Sequence, residues 1–173
     1  MKAIRVSAFG DASEMVLEEI ASPTPGVGEV LVRVRAVGVN PVETYIRAGA
    51  YALLPDLPFT PGGDAAGVVE GLGTGVNGLS VGQRVYVAAP VSAGSYAELM
   101  VADTASVHPL PDHVSFAQGA AVGVPYATAY RALHQKAQAL PGESVFIHGA
   151  SGAVGVASLQ LARAHGMRVI GSA

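Results

Sequence analysis

The 173-residue chain contains no cysteine, which excludes disulfides, thiolate nucleophiles and every zinc site built on cysteine ligands. Charge is scarce as well: Lys, Arg, Asp and Glu together make up 13% of the residues, for a formal net charge of −3. The ten Lys and Arg are scattered, so there is no long-range pull on nucleic acid or on an anionic membrane surface. No apolar run reaches the roughly 18 residues of a spanning helix, and no signal-peptide stretch follows MKAIRVSAFG. Internal repeats and low-complexity tracts are absent too. The expectation is a soluble, cytoplasmic protein without membrane or nucleic-acid partners. Half the residues are hydrophobic, enough for a buried core in one domain, or in one domain and part of another.

Up to about Pro111 the pattern is β-like, with short Val-rich runs between Gly, Pro, Asn and Asp. Strands are expected at Lys2 to Ser7, Val16 to Ile20, Glu29 to Val37, Ala66 to Glu70, Arg84 to Ala89 and Tyr96 to Val101. In EVLVRVRAVGV the alternation puts Val32, Val34 and Ala36 on one face and Arg33 and Arg35 on the other. Short strands with glycine turns fit a small barrel or sandwich. After Pro111, alanine-rich segments replace the β-branched runs, and Pro125 sits where a first helical turn tolerates it. Tyr126, Tyr130 and Leu133 recur as on one helix face, and Pro141-Gly142 ends the segment. A domain boundary is expected between residues 112 and 140.

Residues 144–155, SVFIHGASGAVG, join an apolar run to a cluster of small residues. SVFIH has the character of a buried parallel strand; Val154, Ala157, Leu161 and Ala164 follow at helical spacing, Gly166 can cap that helix, and MRVIGSA is a second strand. This is a βαβ unit, the context that a dinucleotide fingerprint requires. Against the G-x-G-x-x-G pattern the chain has Ala150, Gly152 and Gly155, with Gly149 one residue earlier to serve the turn. A glycine here can provide a positive φ, close approach of a pyrophosphate, or tight packing of helix on strand.

VGVNPVETYIRAGAY (37–51), PFTPGGDAAGVVEGLG (58–73), GVPYATAYRAL (123–133) and GESVFIHGASGAVG (142–155) resemble the zeta-crystallin type quinone oxidoreductases, zinc-independent members of the medium-chain dehydrogenase/reductase superfamily. The resemblance covers the whole chain in order. It implies an α/β protein: a GroES-like β-barrel domain over residues 1–120, then a helical connector and the first βαβ unit of an incomplete Rossmann domain over 121–173. It also implies NADPH as cofactor, a small-molecule quinone or enone as substrate and a homodimer for the intact protein. Tyr45 matches a tyrosine at the nicotinamide and substrate cleft, with Asn40 beside it, both as catalytic candidates. Thr128 falls near the nicotinamide, and Ser151, Gly152, Ala153, Val154 and Gly155 match the segment over the pyrophosphate. Ala153 departs from the family's usual glycine. Relatives also include reductases of conjugated C=C bonds and proteins that bind RNA, and a GroES-like domain can serve as a non-catalytic binding module.

Zinc-dependent relatives carry Cys at the position of Asn40 and a His-Glu pair where this chain has Gly63 and Asp64. His108, His113, His134, His148 and His165 show no ligand spacing, so each is expected at the surface or satisfied in a core. From its residue type alone, Tyr45 is expected to be a core tyrosine with a backbone partner, and only the resemblance moves it into a cleft. Asp64 is expected to be a buried or turn carboxylate capping the GGD turn. Only two parallel strands are expected before the end, with Val145, Ile147, Val169 and Ile170 short of neighbours, so the chain is expected to be a fragment of a longer protein and to bind cofactor poorly by itself.

Overall fold

In a computed structural model, which describes residues 1–90 and 92–173, the chain divides into two compact units, Met1–Gly123 and Val124–Ala173. The first unit is mostly β. Strands β1 (Lys2–Val6) and β2 (Met15–Glu19) form an antiparallel ribbon. A five-stranded antiparallel sheet follows, from β3 (Glu29–Val37), β4 (Asp64–Leu72), β5 (Arg84–Ala88), β6 (Leu99–Asp103) and β7 (Val107–Pro109), in the order β6-β3-β4-β5-β7. Bridges between Ala3 and Ala97 and between Val6 and Phe59 tie the ribbon to the remainder. These short antiparallel strands are in keeping with the GroES-like β-barrel domain that the resemblance implies.

The sheet closes over Val30, Val32, Val69, Val85, Val87 and Met100, all buried. Alternation along β3 holds through Val34, which packs on this cluster. A register irregularity between Val34 and Ala36 then intervenes, and Ala36 packs instead with Ala66, Leu110 and Ala120, so the three residues do not share one environment to the end of the strand. On the wet face Arg33 donates to both carboxylate oxygens of Glu70 from the neighbouring strand, at 2.9 and 2.6 Å. Exposed pairs of this kind add little stability.

Helix α1 (Pro41–Arg47) stands between β3 and β4 in the chain. Its seven residues include Val, Thr, Tyr and Ile, poor helix formers, so burial rather than propensity holds it. Ile46 is 2% exposed and packs with Val6 and Phe59. Ile46→Ala is expected to cost about 2–5 kcal/mol of stability, read from denaturant melts. A five-residue helix, α2 (Phe116–Ala120), closes the unit behind a capping box: the Ser115 hydroxyl accepts from the Gln118 N–H at 3.2 Å, and the Gln118 side chain accepts from the Ser115 N–H at 2.8 Å.

In the second unit, α3 (Gly123–Tyr130) runs into a π-helical stretch, Arg131–Lys136. That change of period breaks the expected apolar face: Leu133 is buried, whereas Tyr130 is 48% exposed and lies against the His134 ring. His134 is not fully satisfied either, since its buried Nε2 has no hydrogen bond among the described residues. Strands β8 (Ser144–His148) and β9 (Arg168–Ser172) are parallel, with α4 (Ala153–Ala164) between them, which is the expected βαβ unit. The stripe that α4 buries is Gly155, Ala157, Ser158 and Ala162. Val154 is 40% exposed, so of the expected stripe only Ala157 is fully buried and Leu161 partly so. At Gly155 the helix lies close to its own entry loop, and Ala162 packs against Leu133 and Met167. Val145 and Val169 do find neighbours, against Leu133, Ala162 and Met167, while Phe146 and Ile170 are exposed. Among the described residues no helix is long and apolar enough to cross a membrane.

Candidate functional site

In the first unit the chemistry gathers at the start of α1. Asn40 is the N-cap, with φ −116° and ψ 141°, Pro41 takes the first helical position, and Glu43 stands at the third. The Glu43 carboxylate reaches back to accept the Asn40 backbone N–H at 3.0 Å, one half of a capping box. Its same oxygen accepts the hydroxyl of Tyr96 at 2.5 Å. On the side-chain end, Asn40 Nδ2 donates to Asp64 Oδ2 at 3.0 Å. A carboxylate only accepts, so this contact fixes the amide with its nitrogen toward Asp64.

The cluster is dry: Asn40 is 5% exposed, Glu43 6% and Asp64 1%. Burial, and after it the hydrogen bond to Glu43 and the charge of Glu43, push the Tyr96 phenol well above the ordinary tyrosine range, which keeps it a neutral donor. Glu43 Oε1 has no hydrogen bond among the described residues. Asp64 opens β4 as a buried carboxylate, one of the two placements expected for it, and accepts from Asn40. A cavity of about 200 Å³ borders the cluster, lined along α1 by Asn40, Glu43, Thr44 and Arg47, and across from it by Met15, Pro61 and Tyr96. Tyr45 is on the same helix but is 56% exposed, so it is not the core tyrosine that its residue type suggested.

In the second unit, the three glycines of the β8–α4 loop separate by cause. Gly149 has φ +64°, a turn that a side chain resists. At Gly155 a Cβ would stand 2.2 Å from the Gly149 carbonyl oxygen and 2.7 Å from Ala150 Cα, so the helix needs glycine there to approach its own loop. At Gly152, the N-cap of α4, φ is an ordinary −75°. A Cβ there would meet nothing closer than the Gly149 oxygen at 3.4 Å, so the fold does not demand that glycine.

Ser151, Gly152, Ala153 and Val154 are exposed around this helix N-terminus, while Gly155 is buried. The Ala150 N–H donates to the Ser172 carbonyl at 2.8 Å, pinning the loop to β9. Thr128 is exposed, and its hydroxyl donates to the Val124 carbonyl at 2.7 Å. Charge adds to the picture. Val124–Ala173 carries one acid, Glu143, against Arg131, Lys136, Arg163 and Arg168, and residues 144–173 contain no acid at all. An anion at the loop meets no like charge from this segment.

Sequence reasoning missed Glu43 and Tyr96, which lie 53 residues apart. For Glu43 a signal was present, because Asn-Pro-Val-Glu has the spacing of a capping box with proline at the first helical position. For Tyr96 there was none.

Residues 26–112 match the family described as the alcohol dehydrogenase GroES-like domain. Over the whole chain the sequence is 51% identical to the quinone oxidoreductase of Mus musculus, covering 52% of that protein, and 49% identical to that of Homo sapiens, covering 53%. Among solved structures, the Escherichia coli quinone oxidoreductase complexed with NADPH superposes with a TM-score of 0.89 at 32% identity, over 99% of this chain and 52% of that one. The chain thus spans about half the length of the curated relatives it matches.

Proposed function

The chain belongs to the alcohol dehydrogenase GroES-like domain family, and on that premise we propose that the intact protein is an NADPH-dependent quinone reductase that works without zinc. Gly152 is the observation that carries the reading. It is a glycine that neither backbone conformation nor packing requires, at the N-terminus of a twelve-residue helix in an acid-free segment. Beyond the modest preference for glycine as an N-cap, ligand approach is the use that this reading assigns to the missing side chain.

NADPH, when bound, supplies the hydride. Around its phosphates the first N–H groups of α4 are the donors, since they have no partner within the helix, and the Ser151 hydroxyl stands beside them. On the first unit, Asn40 has two hydrogens on Nδ2. One is held by Asp64, and the second donates to the substrate oxygen that gains negative charge. Tyr45, exposed on the same helix, is a second candidate donor. A quinone is already electron-poor, so hydrogen bonds suffice where a less activated carbonyl would need a Lewis acid. The position at which zinc-dependent relatives carry a histidine supports this reading: a Cβ at Gly63 would stand 2.5 Å from the Ala89 carbonyl oxygen and 2.6 Å from that of Pro90.

The test is NADPH oxidation by the intact protein, followed at the nicotinamide absorbance with 1,4-benzoquinone or a 2-alkenal of similar size as acceptor. Oxidation dependent on the quinone and indifferent to a zinc chelator is expected. Turnover with the alkenal alone would replace the reading with enone reduction, and turnover with neither would leave a binding module.

A further inference from the structure

Asn40 is held at two points by two different buried carboxylates, its main-chain N–H by Glu43 and its side-chain amide by Asp64. Only the second of these contacts concerns the amide directly. The first fixes the backbone from which the amide hangs and the direction in which α1 departs. We infer that Glu43, clasped by Tyr96, is a positioning residue that sets the entry of α1 and, through it, the stance of Asn40 and Tyr45. What those two residues then do rests on the reductase reading above.

The same chain shows what helix capping alone requires. At α2 an exposed, neutral Ser115–Gln118 pair does that work. At α1 a carboxylate is used instead, 6% exposed and with one oxygen unpartnered among the described residues, an arrangement that is costly to desolvate. Tyr96 adds a donor from a distant part of the chain to the oxygen that already holds the Asn40 N–H. Charge-assisted bonds of this kind are roughly twice as strong as neutral ones, and here they act between a phenol and the N-cap residue of the helix. The result is a fixture of four residues joined by three hydrogen bonds, Tyr96 to Glu43 to Asn40 to Asp64, beside the cavity that borders α1.

Because the fixture acts on a residue rather than on a ligand, its effect is on turnover and not on cofactor binding. In the intact protein, Tyr96→Phe and Glu43→Gln are expected to lower kcat with 1,4-benzoquinone about tenfold, with the dissociation constant for NADPH unchanged within about twofold. A core variant, Val85→Ala, serves as control for lost stability and is expected to keep kcat. Amide exchange without cofactor gives a second readout: the Asn40 N–H is expected to exchange about tenfold faster in Glu43→Gln as the charge-assisted bond weakens. Unchanged exchange at Asn40 in Glu43→Gln would overturn the inference. So would a kcat that stays within about twofold in both variants, or one that falls equally in Val85→Ala. An unsubstituted protein that fails to oxidise NADPH would remove the reductase reading, while the exchange rate would still decide whether Glu43 holds Asn40.

Discussion

Gly152→Ala is expected to weaken NADPH binding by about tenfold or more, or about 1.4 kcal/mol, in a protein that remains folded. The expectation follows from what the added methyl group meets. Within the chain it meets only the Gly149 oxygen, at 3.4 Å, an ordinary contact. Loss of a glycine N-cap costs about 1 kcal/mol or less of helix stability. Toward the solvent side it occupies the space that a pyrophosphate would approach. Gly155→Ala is expected to behave differently: its methyl group would stand 2.2 Å from the Gly149 oxygen and 2.7 Å from Ala150 Cα. Backbone cannot yield as a flexible side chain can, so about 3 kcal/mol of stability is expected to be lost. Melting curves and fluorescence titration with NADPH, run on both variants, separate the two glycines. Equal melting losses with equal affinities would show that they serve one purpose.

The second large effect is expected at Asn40. Asn40→Asp would place a carboxylate oxygen where Nδ2 now stands, 3.0 Å from Asp64 Oδ2, in surroundings where both residues are at most 5% exposed. Two carboxylates so close cannot both ionise, and one must keep its proton. That carboxyl's pKa in the folded variant then lies above its unfolded value, near 3.9. Its stabilising contribution is complete below the unfolded value and is lost as pH rises through the folded one. The variant is therefore expected to approach the unsubstituted protein in stability at about pH 4 and to fall behind it by about 3 kcal/mol at about pH 8. Denaturant melts at the two pH values measure the gap, and a gap independent of pH would mean that the Asn40–Asp64 contact is not what the substitution disturbs.

How far the sequence reveals these features depends on how local their causes are. Strand β3 is found over Glu29–Val37 as its alternation predicts, because a half-buried strand writes its two faces into every second residue. The β8–α4–β9 unit is equally legible, since its glycine loop, strand and helix are contiguous. Strand β7 is too short for any period to show, with three residues. Helix α1 escaped periodicity because seven residues hold fewer than two turns and are rich in strand formers. The stripe on α4 was misread for a different reason. Apolar residues were taken as the buried face, whereas the face that is buried is Gly155, Ala157, Ser158 and Ala162, with Gly155 set by the close approach to the loop and Ala162 packed on Leu133 and Met167. Asn40 and Tyr45 could be singled out by resemblance. Their support could not, because the contacts of Glu43 with Tyr96 and of Asn40 with Asp64 span 53 and 24 residues, and nothing local in the chain announces such pairs.

The turn role expected for Gly149 is found, and the two glycines of the fingerprint, Gly152 and Gly155, separate further. Gly149 answers to backbone conformation and Gly155 to packing, whereas neither demands Gly152, the glycine proposed to admit a ligand. The same distinction applies in the first unit, where Asp64 and Glu43 hold Asn40 and the second hydrogen on Nδ2 is the one proposed for a substrate oxygen.

Hydride transfer itself is the most direct test. The intact protein would be supplied with 1,4-benzoquinone and with NADPH carrying deuterium at the transferable position of the nicotinamide, and the rate of NADPH oxidation compared with that of the unlabelled cofactor. A slower rate with deuterium, one hydroquinone formed per NADPH, and a drop of about a hundredfold in Tyr45→Phe with folding intact are the results predicted. Quinone-dependent oxidation with no isotope effect and no response to Tyr45→Phe would contradict the account.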